Sequence, residues 1–371
     1  MRRLRIFSKA KRKKGLNLQR KNSFMTEIGK YIYGIINSNT SLHLFIPTDF
    51  LVGKSESNGV YTIPYQDISA LVRDSEIVDY THMRKDISAR LLVGHQTVIE
   101  RIMTAQDTII PMRLGIYALD ESEVKEILNK GYNLIKHIFE KLRGKIEIDV
   151  AATWSDFNSM MKEMGEEKEI KEFKERLLAD RKGISVDDQM KIGLMLKKAL
   201  DKRREEFAKR ILERLRDLSE DTRSHELMDD NMVLNSAFLI NKAKHKDFEI
   251  KVEELNIEFA EKLNFRCVGP LPPYSFYTLQ IKKLKFEEID WARRKLALLN
   301  DFITKDEIKK AYHTLVFSCH PDKNPNTPGI EKEFDEVTKA YNLLWEYCQK
   351  DSCSFKVDEF KKNAILVRLR G

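Results

Sequence analysis

His320, Pro321 and Asp322 place an imidazole and a carboxylate on either side of a proline, within the stretch LVFSCHPDKNPNTPG, Leu315–Gly329. A tip so rich in turn formers must be exposed. His95, Glu100 and Arg113, and the pair Asp229-Asp230, invite an enzymatic reading. His95 and Glu100 are five apart on one helical pattern and share a face poorly. His95 therefore reads as a structural residue hydrogen-bonded near a sheet rather than as a general base. Arg113, within PMRLG, reads as an ion-pair partner of the fold. The aspartate pair reads as a turn, since no third metal ligand is spaced to join it. No GxxxxGK[ST] loop and no GxGxxG after a strand is present, and no nucleophile accompanies the histidine, so the chain reads as a non-enzyme without cofactor or metal. Cys267, Cys319, Cys348 and Cys353 show no CxxC spacing, which indicates neither a zinc site nor a disulfide framework and fits a reducing cytoplasm.

The elements that must hold these residues are spread over 371 residues, 42% of them hydrophobic, enough for two or three domains. The formal charge of +8 is concentrated at the start: residues 1–24 carry ten Lys/Arg and no Asp/Glu, leaving 56 basic against 58 acidic residues elsewhere. A near-neutral body lacks the clustered positive charge that phosphate binding needs, so no nucleic-acid partner is expected of it. The leader reads as a disordered basic tail, with RNA or an anionic membrane as the other reading, and Met25-Thr26 opens the globular pattern as a possible translation start. No 18 consecutive apolar residues occur, so no membrane partner is expected.

Lys30–Ile36 (KYIYGII) is aromatic and β-branched and predicts a strand, and NGVYTIPYQDISALV, Asn58–Val72, predicts further strand pairing. Helices are predicted over 82–106 and Glu121–Leu142, the second ending before Gly144. Thr108–Leu119 (TIIPMRLGIYAL) reads between them as one buried strand, with Pro111 at an edge or bulge. Lys145–Trp154 alternates as a strand. About seventy residues of Lys/Glu-rich helix follow, broken near Gly183–Asp187, whose charges read as a solvated face with i,i+4 pairs, a coiled-coil arm being the other reading. Asn231–Lys242, a helix over 245–263, and Phe265–Ile281 complete a β-α-α-β-α-β order. That order predicts an α+β fold in two units divided near Gly144.

After Leu284 the pattern becomes helical. Thr304 and Glu307 form a capping box for a helix with Ile308, Ala311, Tyr312, Leu315 and Val316 on one face. The next helix carries Phe334, Val337, Tyr341, Leu344 and Cys348 on a matching stripe, so the two predict an antiparallel hairpin with His320-Pro321-Asp322 at its tip. The whole constellation, TKDEIKKAYHTLVFSCHPDKNPN…EFDEVTKAYNLL, resembles a J-domain. The resemblance implies that His320, Pro321 and Asp322, with Lys309 and Lys310 supplying charge, engage a DnaK-type ATPase chaperone and stimulate its hydrolysis of ATP. The sequence departs from the family in having no Lys or Arg between Lys310 and His320, which weakens electrostatic approach to an acidic partner.

In the body, YIYGII, GHQTVIERI…TIIPMRLG, LRGKIEIDV, AFLI and GPLPPYSF, in that order, resemble the gas vesicle synthesis GvpL/GvpF family. The resemblance implies two sheet-and-helix domains of ferredoxin-like type, 25–144 and 145–281, then a J-domain over 282–350 and a tail over 351–371. It also implies a cytoplasmic, gas vesicle-associated accessory protein that binds the hydrophobic shell protein GvpA and works with other gas vesicle accessory proteins. A general J-domain co-chaperone with another client, and a minor component of the vesicle wall, are the alternative functions. In GPLPPYSF, Gly269 and three prolines predict a rigid segment before a strand, with Tyr274 and Phe276 on one side of it, either in the core or at a partner-binding edge.

Overall fold

The computed structural model describes residues 27–45, 59–78, 83–105, 108–179, 185–324 and 327–369. The expected basic leader and Met25 lie outside the described residues. The first unit is built on β1 (Ile28–Ile36), β2 (His43–Phe45), β3 (Gly59–Tyr65), β4 (Ile68–Glu76), β5 (Ile109–Pro111) and β6 (Tyr117–Ala118). Their order is β2-β3-β4-β1-β5, with β6 also on β1, and every pairing is antiparallel. The single strand expected over 108–119 is thus two short ones, separated by a turn in which Gly115 takes a positive φ. Pro111 ends the edge strand β5, where its missing N–H costs no ladder bond.

Both faces of this sheet are covered. A bulge between Ile32 and Gly34 flips the alternation of β1. Tyr31, Tyr33 and Ile36 consequently pack with Val98, Ile99 and Ile102 of α1 (Lys85–Ala105), while Ile32 and Ile35 face α2 (Glu121–Leu142). Helix α2 starts at Asp120, whose carboxylate accepts the Glu123 N–H at 2.8 Å, and ends before Gly144, whose φ of 69° suits a residue without Cβ. It buries Val124, Ile127, Leu128, Ile135, Ile138 and Leu142, a stripe of helical period.

The second unit runs β7 (Lys145–Trp154), α3 (Phe157–Gly165), α4 (Lys168–Ala179), α5 (Val186–Arg216), β8 (Ser219–Ser224), β9 (Met232–Asn241), α6 (His245–Glu258) and β10 (Leu263–Leu271). The strand order β10-β7-β9-β8, all antiparallel, is that of a split βαβ sheet, the ferredoxin-like arrangement. The charged helices do not extend as a coiled-coil arm. Arg203 of α5 binds Glu163 and Glu167 at 3.0 Å each, and Lys197–Asp201 is an i,i+4 pair at 3.3 Å. The exposed edge strand β8 (SEDTRS) lies where continuous helix was expected, because it has no apolar alternation to announce it.

β11 (Leu279–Lys283), α7 (Phe286–Lys295), β12 (Phe302–Thr304), α8 (Lys305–Cys319), α9 (Ile330–Tyr347), β13 (Ser352–Ser354), α10 (Val357–Asn363) and β14 (Ile365–Leu369) complete the chain. Two expected boundaries are corrected here. Within the expected tail, residues 351–369 are built into the fold: β14 pairs with β11 from Leu279↔Leu369 to Lys283↔Ile365 and packs on α2. It can do so because Gly131 of α2 has no side chain, and a Cβ there would stand 2.8 Å from Val367. Residues 276–281 likewise belong with the first unit, since Phe276 and Leu279 lie in the core of α2 and Met112 bridges to Leu279. Ala237 and Leu239 of β9 reach the same core, so the two α+β units share apolar contact. The α7–α10 unit has its own core around Ile289, Ile308, Val337 and Leu344.

Candidate functional site

The tip that carries His320 begins with the way α8 is started and stopped. The Thr304 hydroxyl accepts the Glu307 N–H at 3.2 Å and the Glu307 carboxylate accepts the Thr304 N–H at 2.7 Å, closing the expected capping box. Ile308 and Cys319 are buried, and Tyr312 stacks on Tyr341 of α9 with centroids 4.2 Å apart, fixing the hairpin. Lys295 of α7, bonded to Glu333 at 2.9 Å and Glu336 at 2.7 Å, holds the third helix against α9.

At Cys319 the helix stops, because His320 takes an extended φ, ψ of −68°, 127°, which the following proline favours. Pro321–Lys323 then form one 3-10 turn. His320 Nδ1 accepts the Asp322 N–H at 3.2 Å, and the ring meets Phe334 of α9 edge-on at 5.5 Å. Asn324 braces the turn from behind: its Nδ2 donates to the carbonyls of Ser318 at 3.0 Å and His320 at 3.2 Å. The imidazole is therefore oriented while the Asp322 carboxylate, 90% exposed, points to solvent. Lys309 and Lys310 are exposed on α8. Sequence reasoning missed two further residues of this surface: Phe317, 70% exposed, and Lys323, whose Nζ sits 3.2 Å from the Phe317 ring centroid. Lys323 supplies a cation within the turn, whereas no Lys or Arg stands between Lys310 and His320, and its place directly behind the aspartate was the available signal. The arrangement sets an oriented imidazole, an outward carboxylate and cations on one exposed surface of the hairpin.

The other predicted residues do not join this tip. His95 is 1% exposed between α1 and the sheet, with Nε2 donating to the Met112 carbonyl at 2.9 Å and Nδ1 accepting the Tyr31 hydroxyl at 2.7 Å. Burial pushes its pKa down to about 4, so it stays neutral, locking β1 to α1 and to the β5 end. Arg113 is exposed just beyond the edge strand, and among the described residues no ion pair involves it. Asp229 makes the turn before β9, accepting the N–H of Asn231 at 2.9 Å and of Met232 at 3.2 Å, while Asp230 pairs with Lys197 at 3.1 Å. Among the described residues no cluster of three His, Cys, Asp or Glu could hold a metal ion.

Tyr274 and Phe276 do not project from a strand edge. They lie in a turn between β10 and β11, where the Tyr277 N–H returns to the Pro273 carbonyl at 2.9 Å. Phe276 is buried at 3% exposure in the α2 core and Tyr274 packs against the α1 core, which corrects the partner-binding reading of these two rings. The residue between them is the one that reaches out. The Ser275 N–H and hydroxyl donate to Glu147 of β7 at 2.9 and 2.7 Å, and His225 Nε2 lies 3.1 Å from the same hydroxyl. Burial pushes the Glu147 pKa up to about 7, with Asp149 adding to the rise. This latch fastens the loop after β10 to the second sheet.

Two family profiles match the chain: "Gas vesicle synthesis protein GvpL/GvpF" over residues 29–278 and "DnaJ domain" over 294–351. Gas vesicle protein F of Nostoc sp. is 24% identical over 250 residues, covering 67% of this chain and 97% of the relative. Gas vesicle protein F1 of Halobacterium salinarum is 23% identical over 259 residues, covering 69% and 96%. Chaperone protein DnaJ of Chlorobium phaeobacteroides is 56% identical over 41 residues, 11% of this chain and 10% of that protein. The crystal structure of gas vesicle protein GvpF from Anabaena sp. superposes with a TM-score of 0.54 at 25% identity, covering 67% of this chain and 98% of its own.

Proposed function

We propose that this chain, which belongs to the gas vesicle synthesis GvpL/GvpF family and ends in a DnaJ domain, binds the shell protein GvpA through its α+β body and recruits a DnaK-type ATPase chaperone through the His320-Pro321-Asp322 turn. A gas vesicle role and a co-chaperone capacity follow from the two domains it carries. The observation that supports the finer reading is their covalent union: a GvpF-like body holds, between its paired strands β11 and β14, a helical hairpin with an oriented His320 and an outward Asp322. A shell subunit with an apolar gas-facing surface aggregates unless that surface is held until assembly, and ATP-driven release is what a J-domain partner supplies. The chain itself acts as an adaptor without catalysis, in the cytoplasm and at the vesicle, alongside other gas vesicle accessory proteins.

The test uses the full chain, because a fragment ending at Ile281 would strip β14 from α2. Immobilised protein is expected to retain GvpA, and in a steady-state assay to raise the ATPase turnover of a DnaK-type chaperone. His320→Gln is expected to abolish the stimulation and leave GvpA retention unchanged. Stimulation without GvpA retention would assign the body another client; retention without stimulation would remove the chaperone from the proposal. Recovery of the chain in stoichiometric amount from washed vesicles would instead make it a wall component.

A further inference from the structure

Helix α5 is 31 residues long, and its two halves are used differently. From Leu200 onward it lies on the second sheet, with Leu200, Ile211 and Leu215 buried and Arg204 donating to the Met232 carbonyl at 2.9 Å. The first half is covered on one side only. Leu196 and Ala199 pack against the core of the second unit, whereas Val186, Met190 and Leu194, at i, i+4 and i+8, are 70%, 62% and 61% exposed. Gly193 stands in this stripe, and a Cβ there would meet nothing within 4 Å. A glycine inside a helix costs stability relative to alanine, and no contact within the chain calls for it here. Charges bound the stripe. Ser185 and Asp188 close a capping box that occupies Asp188 and leaves Asp187 exposed in the first turn. Lys197 turns back to Asp201 and Asp230, at 3.3 and 3.1 Å, which leaves Lys198 exposed. Among the described residues no ion pair involves Asp187 or Lys198. The two are about three helical turns apart and therefore share one flank of the stripe.

We propose that two copies of this chain associate through the first half of α5, laid antiparallel about a two-fold axis beside Gly193. In an antiparallel helix pair related by such an axis, each flank meets the same flank of its neighbour. Asp187 of one copy then stands against Lys198 of the other, and the contact occurs twice. A parallel pair would instead set Asp187 on Asp187 and Lys198 on Lys198. The same axis brings Met190 against Leu194 of the second copy and Gly193 beside Gly193, where the missing side chains let the helix axes approach. Charge is what selects a second copy as the occupant: the stripe is acidic at one end and basic at the other, so it complements itself when reversed. Three turns of helix bury less than about 1,200 Å², which places the dimer in the transient class. This inference rests on α5 alone and is independent of the gas vesicle reading.

The experiment is sedimentation velocity of the full chain over a concentration series of about 1 to 100 μM. Expected is an equilibrium between monomer and dimer that weakens as salt rises. Met190→Glu with Leu194→Glu should leave monomer alone at an unchanged unfolding midpoint, since both side chains are exposed. Gly193→Ala should hold or raise that midpoint and yet weaken the dimer by about threefold or more. Asp187→Lys and Lys198→Asp should each weaken association, because each sets like charges together, and an equimolar mixture of the two variants should dimerise again. A chain that is monomeric at every concentration, a dimer indifferent to Met190→Glu with Leu194→Glu, a tighter dimer with Gly193→Ala, or a mixture no more associated than its parts overturns the proposal. If the chain stays monomeric and Met190→Glu releases retained GvpA, the stripe belongs to the shell protein and the proposal is likewise overturned.

Discussion

His95 and His320 each engage two neighbours through the imidazole, yet they do opposite work. His95 is sealed between α1 and the first sheet, is held neutral by burial, and spends both nitrogens on Tyr31 and Met112. His320 stands at a helix end with one nitrogen bonded to the adjacent backbone, one ring face against Phe334 and the rest open. Residue type does not say which histidine is open to a partner. Burial decides it, because a group whose donors and acceptors are all used internally has none left to offer.

The largest expected effect attacks the exposed member. His320→Gln should remove chaperone stimulation entirely while changing stability by no more than about 0.5 kcal/mol, as for an ordinary surface substitution; a matching loss of stability in a urea titration would erase the contrast. The converse is His95→Ala, which removes the acceptor of the Tyr31 hydroxyl and the donor to the Met112 carbonyl inside the core and should cost about 3 kcal/mol. It should leave stimulation by the folded fraction intact.

Glu147 sharpens the comparison through pH. Its pKa rises on folding from 4.5 to about 7, so the folded chain keeps a proton that the unfolded chain has lost, and stability falls as pH climbs through that window. His95 falls from 6.5 to about 4, so its contribution is complete above pH 6.5 and is lost as pH drops toward 4. The two slopes, each about 1.4 kcal/mol per pH unit, oppose one another between pH 4.5 and 6.5. Glu147→Gln should expose the histidine slope as a stability rising by about 2–3 kcal/mol across that interval; an unchanged urea midpoint profile would show that the latch does not titrate as described. The smallest effect is expected of Lys309→Ala with Lys310→Ala. Chaperone association should slow by about threefold at low salt and converge with the unmodified chain at high salt, since exposed charges act mainly on approach.

What the sequence made legible was local. The capping box at Thr304, the glycine after α2 and the proline-rich tip are short-range devices, and α2, β7 and the His320 turn lie where those devices place them. Non-local pairings were hidden. β14 reads as five apolar and basic residues near the chain end until β11, over eighty residues earlier, supplies its partner. Tyr274 and Phe276 misled because an extended chain would set them on one side, whereas the prolines fold that segment into a turn.

The pairing of β11 with β14 has a mechanical side. Entry and exit of the J-domain run as neighbouring strands bonded to each other, with Lys282 and Arg368 both gripping Glu346 of α9 and Lys283 gripping Glu123 of α2. A domain hung on one flexible linker samples a sphere whose radius grows with the linker, and its effective concentration at any point is diluted accordingly. Here the slack is removed at both ends. The distance from the body to the His320 turn is set by the fold itself, and any pull exerted at His320 passes through two strands into α2 rather than being absorbed by loose chain.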